Sequence, residues 1–298
     1  MNKSSFGAGV VFAVLSYILW GILPVYWKLL ATVNSLHILA FRILFSLLLV
    51  GTILFVQKNT SWLRFFKDKR KGFLLILTAL IISFNWGLYI WAVNQGHTIE
   101  ASLGYYINPL ISVVLGLCFF REKLNFLQAL AFALAVIGVL ILTILTGALP
   151  WVSLGLALSF GFYGLLKKLV NLSALESLGV ETLIASPLGL FLLFGPFRMS
   201  GEIQGIAYLA QLPLGTILIL LLCGAVTTIP LYLFARGAKL LPLSTLGFIQ
   251  FIAPTLTFLV GFFIFRESFP VHNFIVFGFI WTAAILYIIS LKYFPKKS

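Results

Sequence analysis

Polar and aromatic residues four positions apart recur inside the apolar stretches of this chain of 298 residues. If those stretches are helical, both members of a pair lie on the same face. Hydroxyl and amide groups can hydrogen bond a solute, while rings pack against its apolar part. The pattern predicts a cavity for an amphipathic solute, or else polar contacts that hold neighbouring helices together. The pairs are Ser16 with Trp20, Asn85 with Tyr89, Ser159 with Tyr163, and Thr228 with Tyr232.

Pro109 and Pro254 lie inside two other apolar stretches. Proline removes a backbone donor and disfavours helix just before it, so a helix break is expected at each position. The carbonyl groups freed near Tyr105, Asn108 and Gln250 can then bind a solute or let the helix bend.

Two ionisable residues, Arg42 and Glu181, fall within apolar stretches. Charged groups inside a membrane usually face a water-filled interior and mark the path of an ion or a substrate. One interpretation is therefore coupling to a proton or an anion. Each residue also lies within about two turns of the end of its stretch, so extension to the lipid interface is the alternative. We favour the interface for Arg42 and leave both alternatives open for Glu181.

Motifs for enzymatic chemistry are missing from the sequence. It contains no nucleotide-binding P-loop, no serine-hydrolase or zinc-protease motif, and no spacing typical of metal ligands. We therefore expect no enzyme activity, no cofactor and no metal.

The composition indicates the elements that must position these residues. The chain is 61% hydrophobic and only 9% charged, whereas soluble domains have about 25% charged residues. Crossing a bilayer takes about 20 apolar residues. The sequence predicts an all-α, polytopic membrane protein with ten transmembrane helices, at about 6–27, 36–56, 73–94, 101–120, 124–146, 150–167, 177–197, 214–235, 243–265 and 270–291.

The net charge of +13 predicts an orientation rather than a nucleic-acid partner. With ten spans, most of the 20 Lys and Arg residues fall in the loops on the same side as the two termini. Basic residues in short loops favour the cytoplasm, so both termini are expected there.

The second half of the chain repeats the first. An offset of 143 residues relates Asn85 to Thr228 and Tyr89 to Tyr232, and an offset of 145 relates Pro109 to Pro254. The chain is thus expected to contain two five-helix repeats, at residues 1–147 and 148–298. Because five is odd, the second repeat would be inverted, as in secondary transporters that bind solute near the midplane.

Three segments, Asn85–Val93, Glu100–Leu110 and Pro242–Thr255, resemble the RarD proteins, which belong to the EamA-domain branch of the drug/metabolite transporter superfamily. The resemblance covers the whole chain, including Arg42 and Val180–Leu183. It implies a bacterial inner-membrane permease with two EamA repeats and alternating access. It also implies substrates among drugs, amino acids and metabolites, mostly exported. Phe41 departs from the histidine common in that branch, which weakens a proton relay there.

These observations predict a secondary active transporter, and an exporter, of a small organic solute. Its expected partners are the solute, the lipid bilayer and, as a candidate coupling ion, the proton. An uncoupled facilitator and a non-transporting membrane subunit remain open as alternatives, as do a monomer and a homodimer.

Overall fold

The structure, a computed structural model, describes residues 3–60, 62–63, 68–94, 98–147, 151–170, 172–194, 209, 211–266 and 271–293. Most of these residues are helical, and none of them lies in a β-strand. The helices of the first half are α1 (Lys3–Lys28), α2 (Ser35–Val56), α3 (Lys69–Asn94), α4 (Thr98–Phe120) and α5 (Phe126–Thr146). The helices of the second half are α6 (Trp151–Leu169), α7 (Ala174–Phe194), α8 (Leu214–Leu240), α9 (Leu243–Gln250), α10 (Ile252–Leu259) and α11 (Val271–Tyr293).

The helices are those of a multi-pass membrane protein. Within the described residues, nine segments are long and apolar enough to cross a bilayer, and α4 adds the shorter apolar segment Gly104–Phe120. The predicted all-α, polytopic fold class is confirmed. The predicted ends lie within five residues of the observed ends, because hydropathy and turn residues are local signals.

Side chains at the helix ends satisfy the backbone groups that a helix leaves unpaired. Asn125 and Gln128 form a reciprocal capping box at the start of α5, and Gly147 ends that helix with a φ of 69°. Asp68 accepts hydrogen bonds from the backbone N–H groups of Arg70 and Lys71 at the start of α3. These bonds, above all the one from Lys71, lower the pKa of the Asp68 carboxyl group.

The two proline-containing spans differ. In the second half, the helix is interrupted at Phe251, between α9 and α10, and a π-helical segment, Val260–Ile264, follows α10. In the first half, α4 continues through Pro109, so the prediction of a break there is wrong. A proline removes only one bond from a long helix, and close packing can accommodate it. That packing is close: a Cβ atom on Gly247 of α9 would lie 2.6 Å from the Pro109 carbonyl oxygen.

The helix contacts are symmetric between the two halves. In chain order, α1, α2, α3 and α5 correspond to α6, α7, α8 and α11, and α4 corresponds to α9 with α10. Three contacts then have counterparts: α4 with α6 matches α1 with α9 and α10, α1 with α8 matches α6 with α3, and α2 with α8 matches α7 with α3. Three further contacts, α2 with α7, α4 with α9, and α5 with α11, join corresponding helices, so exchanging the two halves leaves them unchanged. Arg121 and Arg266, which are related by the 145-residue offset, also share a positive φ, at 51° and 55°.

Candidate functional site

A cavity of about 350 Å³ lies among helices from both halves of the chain. Its wall receives residues from α1, α2, α3, α4, α6, α8, α9 and α10, and nine of those residues carry aromatic rings. Its size suits a drug-sized organic molecule. The polar members of the wall are Arg42, Asn85, Asn108, Thr227, Gln250 and Thr257.

Arg42 provides a positive charge on this wall. Its Nε atom donates a hydrogen bond of 3.2 Å to the Thr227 hydroxyl of α8. The guanidinium carbon also lies over two indole rings, 5.2 Å from the centroid of Trp27 and 4.8 Å from that of Trp86. Cation–π attraction of this kind holds the group in place. These contacts hold the guanidinium group of Arg42 on the cavity wall.

Asn85 joins α3 to α6 at the edge of the cavity. Its Nδ2 atom donates to the Leu156 carbonyl oxygen at 3.0 Å and to the Ser159 hydroxyl at 2.8 Å. The Ser159 hydroxyl donates in turn to the Gly155 carbonyl. The Asn85 amide thus links α3 to α6, and Asn85 is also a member of the cavity wall.

Aromatic and amide groups from α3 and α4 form another side of the cavity. The rings of Tyr89 and Tyr105 pack edge to face, with centroids 6.0 Å apart. Asn108 is only 5% exposed, and its side-chain oxygen has no hydrogen-bond partner among the described residues. An orphaned buried acceptor on a cavity wall is suited to a donor group of a bound solute, because leaving it unpaired costs free energy.

The junction of α9 and α10 adds polar backbone to the wall. Pro254 has no N–H group, so the Gln250 carbonyl oxygen lacks its usual helical donor. The Gln250 side-chain oxygen lies 3.5 Å from the hydroxyls of Tyr17 and Ser112. Thr257 donates to the Gly21 carbonyl oxygen at 3.3 Å.

A cluster of packed rings extends from the cavity wall into the bundle. The Trp20 ring contacts Phe160 and Phe234, with centroid distances of 5.5 and 5.6 Å. Phe234 stacks on Tyr163 at 5.9 Å, and its edge contacts Tyr17 at 6.2 Å. We call Tyr17, Trp20, Phe160, Tyr163 and Phe234 the aromatic plug.

The structure brings together only part of the predicted site. Trp20, Asn85, Tyr89, Tyr105, Asn108, Gln250, Pro254 and Arg42 lie on the cavity wall. The other predicted residues lie elsewhere in the described bundle; they are Ser16, Pro109, Ser159, Tyr163, Glu181, Thr228 and Tyr232. Ser16 donates to the Pro230 carbonyl oxygen at 2.9 Å, Ser159 accepts from Asn85, and Tyr232 accepts from Arg236. Tyr163 belongs to the aromatic plug, and the buried Thr228 hydroxyl has no partner among the described residues.

Glu181 forms a buried ion pair with Lys167. The Lys167 Nζ atom lies 2.6 Å from Glu181 Oε1, and the side chains are 1% and 4% exposed. Ser177 accepts from Lys167 and donates to Glu181, both at 2.8 Å, and the Tyr163 hydroxyl donates to Glu181 Oε2 at 3.1 Å. Glu181 is thus buried within the bundle and paired with a cation.

Lys167 was not among the predicted site residues, and neither were the wall residues Trp27, Trp86 and Thr227. The position of Lys167 at the end of a predicted span placed it among the loop cations, yet it lies within α6 and is buried. The sequence does hold a signal for the pair of Lys167 and Glu181: a basic residue near the end of one predicted span and an acidic residue near the start of the next, with one short loop between the two spans.

A second acidic residue, Glu122, makes contacts at the same end of the bundle as Lys167 and Glu181. It accepts hydrogen bonds from the backbone N–H groups of Leu243 and Ser244, at 2.7 and 2.9 Å, and so caps α9. Lys168 lies 4.0 Å from Glu122 and donates to the Leu241 carbonyl oxygen. These contacts join the end of α4 to the ends of α6 and α8.

Comparisons with known proteins agree with this architecture. Residues 7–144 match the EamA-like transporter family. The chain is 44% identical to the uncharacterized transporter YojE of Bacillus subtilis, over 100% of this chain and 99% of that protein. It is 40% identical to the protein RarD of Salmonella typhimurium, over the full length of both. It is 32% identical to the chloramphenicol-sensitive protein RarD of Pseudomonas aeruginosa, over 94% of this chain and 93% of that one. A solved crystal structure covers 95% of this chain at a TM-score of 0.73 and 16% identity, which shows a shared fold; 98% of that structure's chain is covered.

Proposed function

Because the chain belongs to the RarD branch of the EamA-like transporter family, we propose that it is a secondary active transporter that moves a small organic solute through its aromatic cavity by alternating access. Membership in that family, together with nine described apolar spans, makes the protein a multi-pass membrane transporter and not an enzyme. The observation that carries the proposal is the cavity itself, which is walled by helices from both halves and is rich in aromatic rings.

The two halves, residues 1–147 and 148–298, are the inverted repeats that rearrange around this cavity. The symmetric helix contacts support this assignment, because exchanging the halves reproduces the packing. Two equivalent units of opposite orientation have two equivalent ways of packing, and each opens the solute site to one side of the membrane.

The positions of the wall residues suggest which side is open. They lie near the C-terminal ends of α1 and α3, and near the N-terminal ends of α2, α4 and α6. Helices that cross the membrane in turn place all of these ends on one face. With both termini in the cytoplasm, this is the outer face. The aromatic plug and the Glu122–Lys168 contacts then close the cytoplasmic side.

The inward-facing state would use the repeat mates of the present wall. Tyr163, Thr228 and Tyr232 correspond to Trp20, Asn85 and Tyr89. We assign them to the cavity when it opens towards the cytoplasm, where Pro109 and Pro254 would allow α4 and α10 to bend. The buried Thr228 hydroxyl, which has no hydrogen-bond partner among the described residues, supports this assignment, because it would gain a partner in the other state.

Direction and location form the finer part of the proposal. We place the protein in the bacterial inner membrane, as an exporter with both termini in the cytoplasm, because the similar transporters named above come from bacteria and basic loops favour the cytoplasmic side. Protons are the proposed coupling ion, and Glu181 is the candidate proton carrier. A facilitator without coupling would equilibrate the solute but never concentrate it.

The test is solute flux in proteoliposomes, screened over amino acids and aromatic antibiotics with and without an imposed pH gradient. Tyr89→Ala should lower flux at least about ten-fold, because it removes a ring from the wall. The matched control is Phe84→Ala on the same helix, whose side chain is 58% exposed and lies outside the wall, so wild-type flux is expected. No flux of any tested solute, or equal flux in Tyr89→Ala and the wild type, would overturn the proposal.

A further inference from the structure

Among the described residues, no acidic side chain pairs with the charge of Arg42. None of the ion pairs among the described residues includes Arg42, whose contacts are the Thr227 hydroxyl and the rings of Trp27 and Trp86. An aromatic ring attracts a cation but does not neutralise it. The described residues of the wall therefore carry a net positive charge.

Two other cations within the bundle, the buried Lys167 and the half-buried Lys168, differ from Arg42 in this respect. Lys167 is paired with Glu181 at 2.6 Å, and Lys168 lies 4.0 Å from Glu122. An unpaired cation within a membrane protein is costly unless it faces water or a ligand. Arg42 faces the cavity, so its charge is available to a ligand and is not used within the described bundle.

The hydrogen-bond donors of Arg42 are also largely unused. A guanidinium group carries five N–H bonds, and only the one on Nε has an acceptor among the described residues, the Thr227 hydroxyl. The two terminal nitrogens retain their donors. A planar carboxylate can accept two parallel bonds from such an edge, which a neutral amide or a cation cannot do.

The surroundings of this edge suit an apolar or aromatic body attached to the anion. Trp27 and Trp86 flank the guanidinium, and Tyr89 and Tyr105 lie on the same cavity wall. Rings of this kind contribute packing area without adding charge. The cavity thus combines one oxyanion receptor with a mostly aromatic lining.

We propose that Arg42 binds the anionic group of the transported solute, and that the substrates are organic carboxylates, or similar oxyanions, with an apolar or aromatic body. The inference rests on the proposed function, since it names the substrate class of the same cavity. Asn108 then accepts a hydrogen bond from a donor group elsewhere on the solute, which also admits zwitterions.

The first experiment compares solutes that differ only in charge. Binding of phenylacetate and indole-3-acetate to the purified full-length protein is measured by calorimetry, beside their neutral amides, phenylacetamide and indole-3-acetamide. The carboxylates should bind at least about ten-fold more tightly, since hydrogen bonds to charged groups are stronger than those between neutral groups. Equal affinities, or no carboxylate binding in the millimolar range, would overturn the inference.

The second experiment identifies the residue. Arg42→Gln should abolish the preference for carboxylate over amide, whereas Arg42→Lys should retain part of it, because it keeps the charge but loses the planar fork. Arg70→Gln on the exposed start of α3 removes the same charge far from the wall and should leave the preference unchanged. A preference that persists in Arg42→Gln would assign the anion to another site and refute the proposal.

Flux measurements separate this inference from the proposed function. If neutral solutes are transported as well as anions, and Tyr89→Ala still lowers flux, the transporter proposal stands and the anion assignment fails. If the carboxylates bind at Arg42 but no solute is moved, the anion site stands and the transporter proposal fails.

Discussion

The ammonium group of Lys167 lies 2.6 Å from the carboxylate of Glu181, and both side chains are almost fully buried between α6 and α7. Ser177 bridges the two charges, and Tyr163 links the carboxylate to the aromatic plug. Two opposite charges can be buried together because each offsets the desolvation of the other. The same arrangement makes the loss of one partner costly, and it links an ionisable group to the aromatic plug.

Removing one charge of this pair should destabilise the protein. Glu181→Ala leaves the Lys167 ammonium buried and unpaired, which costs about 3–5 kcal/mol and lowers the apparent Tm in detergent by about 10 °C. The double variant Lys167→Met with Glu181→Leu removes both charges and should recover most of the loss. As a control, Lys71→Met breaks the exposed pair with Asp68 and should change Tm little. A double variant as unstable as Glu181→Ala would contradict this account.

The proton role of Glu181 can be tested in a Lys167→Met background, where the neutral variant Glu181→Gln leaves no buried ammonium unpaired. Glu181→Gln keeps a side chain that can hydrogen bond with Tyr163 and Ser177 but cannot bind and release a proton. If Glu181 couples transport to protons, solute exchange should persist in proteoliposomes while stimulation by a pH gradient disappears. Uptake still driven by the gradient would exclude the carboxylate as the proton carrier.

Alternating access predicts that Tyr89 and its repeat mate Tyr232 are exposed to water in different states. In a background without Cys118 and Cys223, Tyr89→Cys should react with a membrane-impermeant thiol reagent added to the outer face. Tyr232→Cys should react from the cytoplasmic face, in inverted vesicles. Phe84→Cys, which lies outside the cavity wall, is the control and should react slowly because lipid surrounds it. Labelling of both cavity cysteines from one side only would contradict the exchange of roles between the two halves.

Close packing of α2 against α8 should not tolerate a larger residue at Gly224. A Cβ atom there would lie 2.3 Å from the carbonyl carbon of Phe45, a backbone atom that cannot move without shifting α2. Gly224→Ala should therefore lower Tm in detergent by several degrees, as overpacking costs about 1–3 kcal/mol. Gly215→Ala, on the same helix, meets no atom within 4 Å and should be neutral or slightly stabilising. Equal Tm values for the two variants would show that the helices can separate at no cost.

The sequence was least reliable where two distant segments decide the outcome. Pro109 and Pro254 have the same local chemistry, yet α4 continues through Pro109 while the second span is interrupted at Phe251. Arg42 and Glu181 also look alike in sequence, as single charges near the ends of apolar spans. In the structure, Arg42 lies between two indole rings on the cavity wall, whereas Glu181 is paired with Lys167, fourteen positions earlier in the chain.

The amino-acid sequence by itself determined the number, the positions and the apolar character of the helices, because the cost of placing backbone and charge in lipid is set by each segment alone. It also carried the repeat, through residues at fixed offsets. Only the tertiary structure decided that Tyr89 lies on the wall and Tyr232 does not, and that Lys167 faces Glu181. Those outcomes depend on the rotation and depth of each helix, which its packing against distant neighbours sets and its own hydropathy does not.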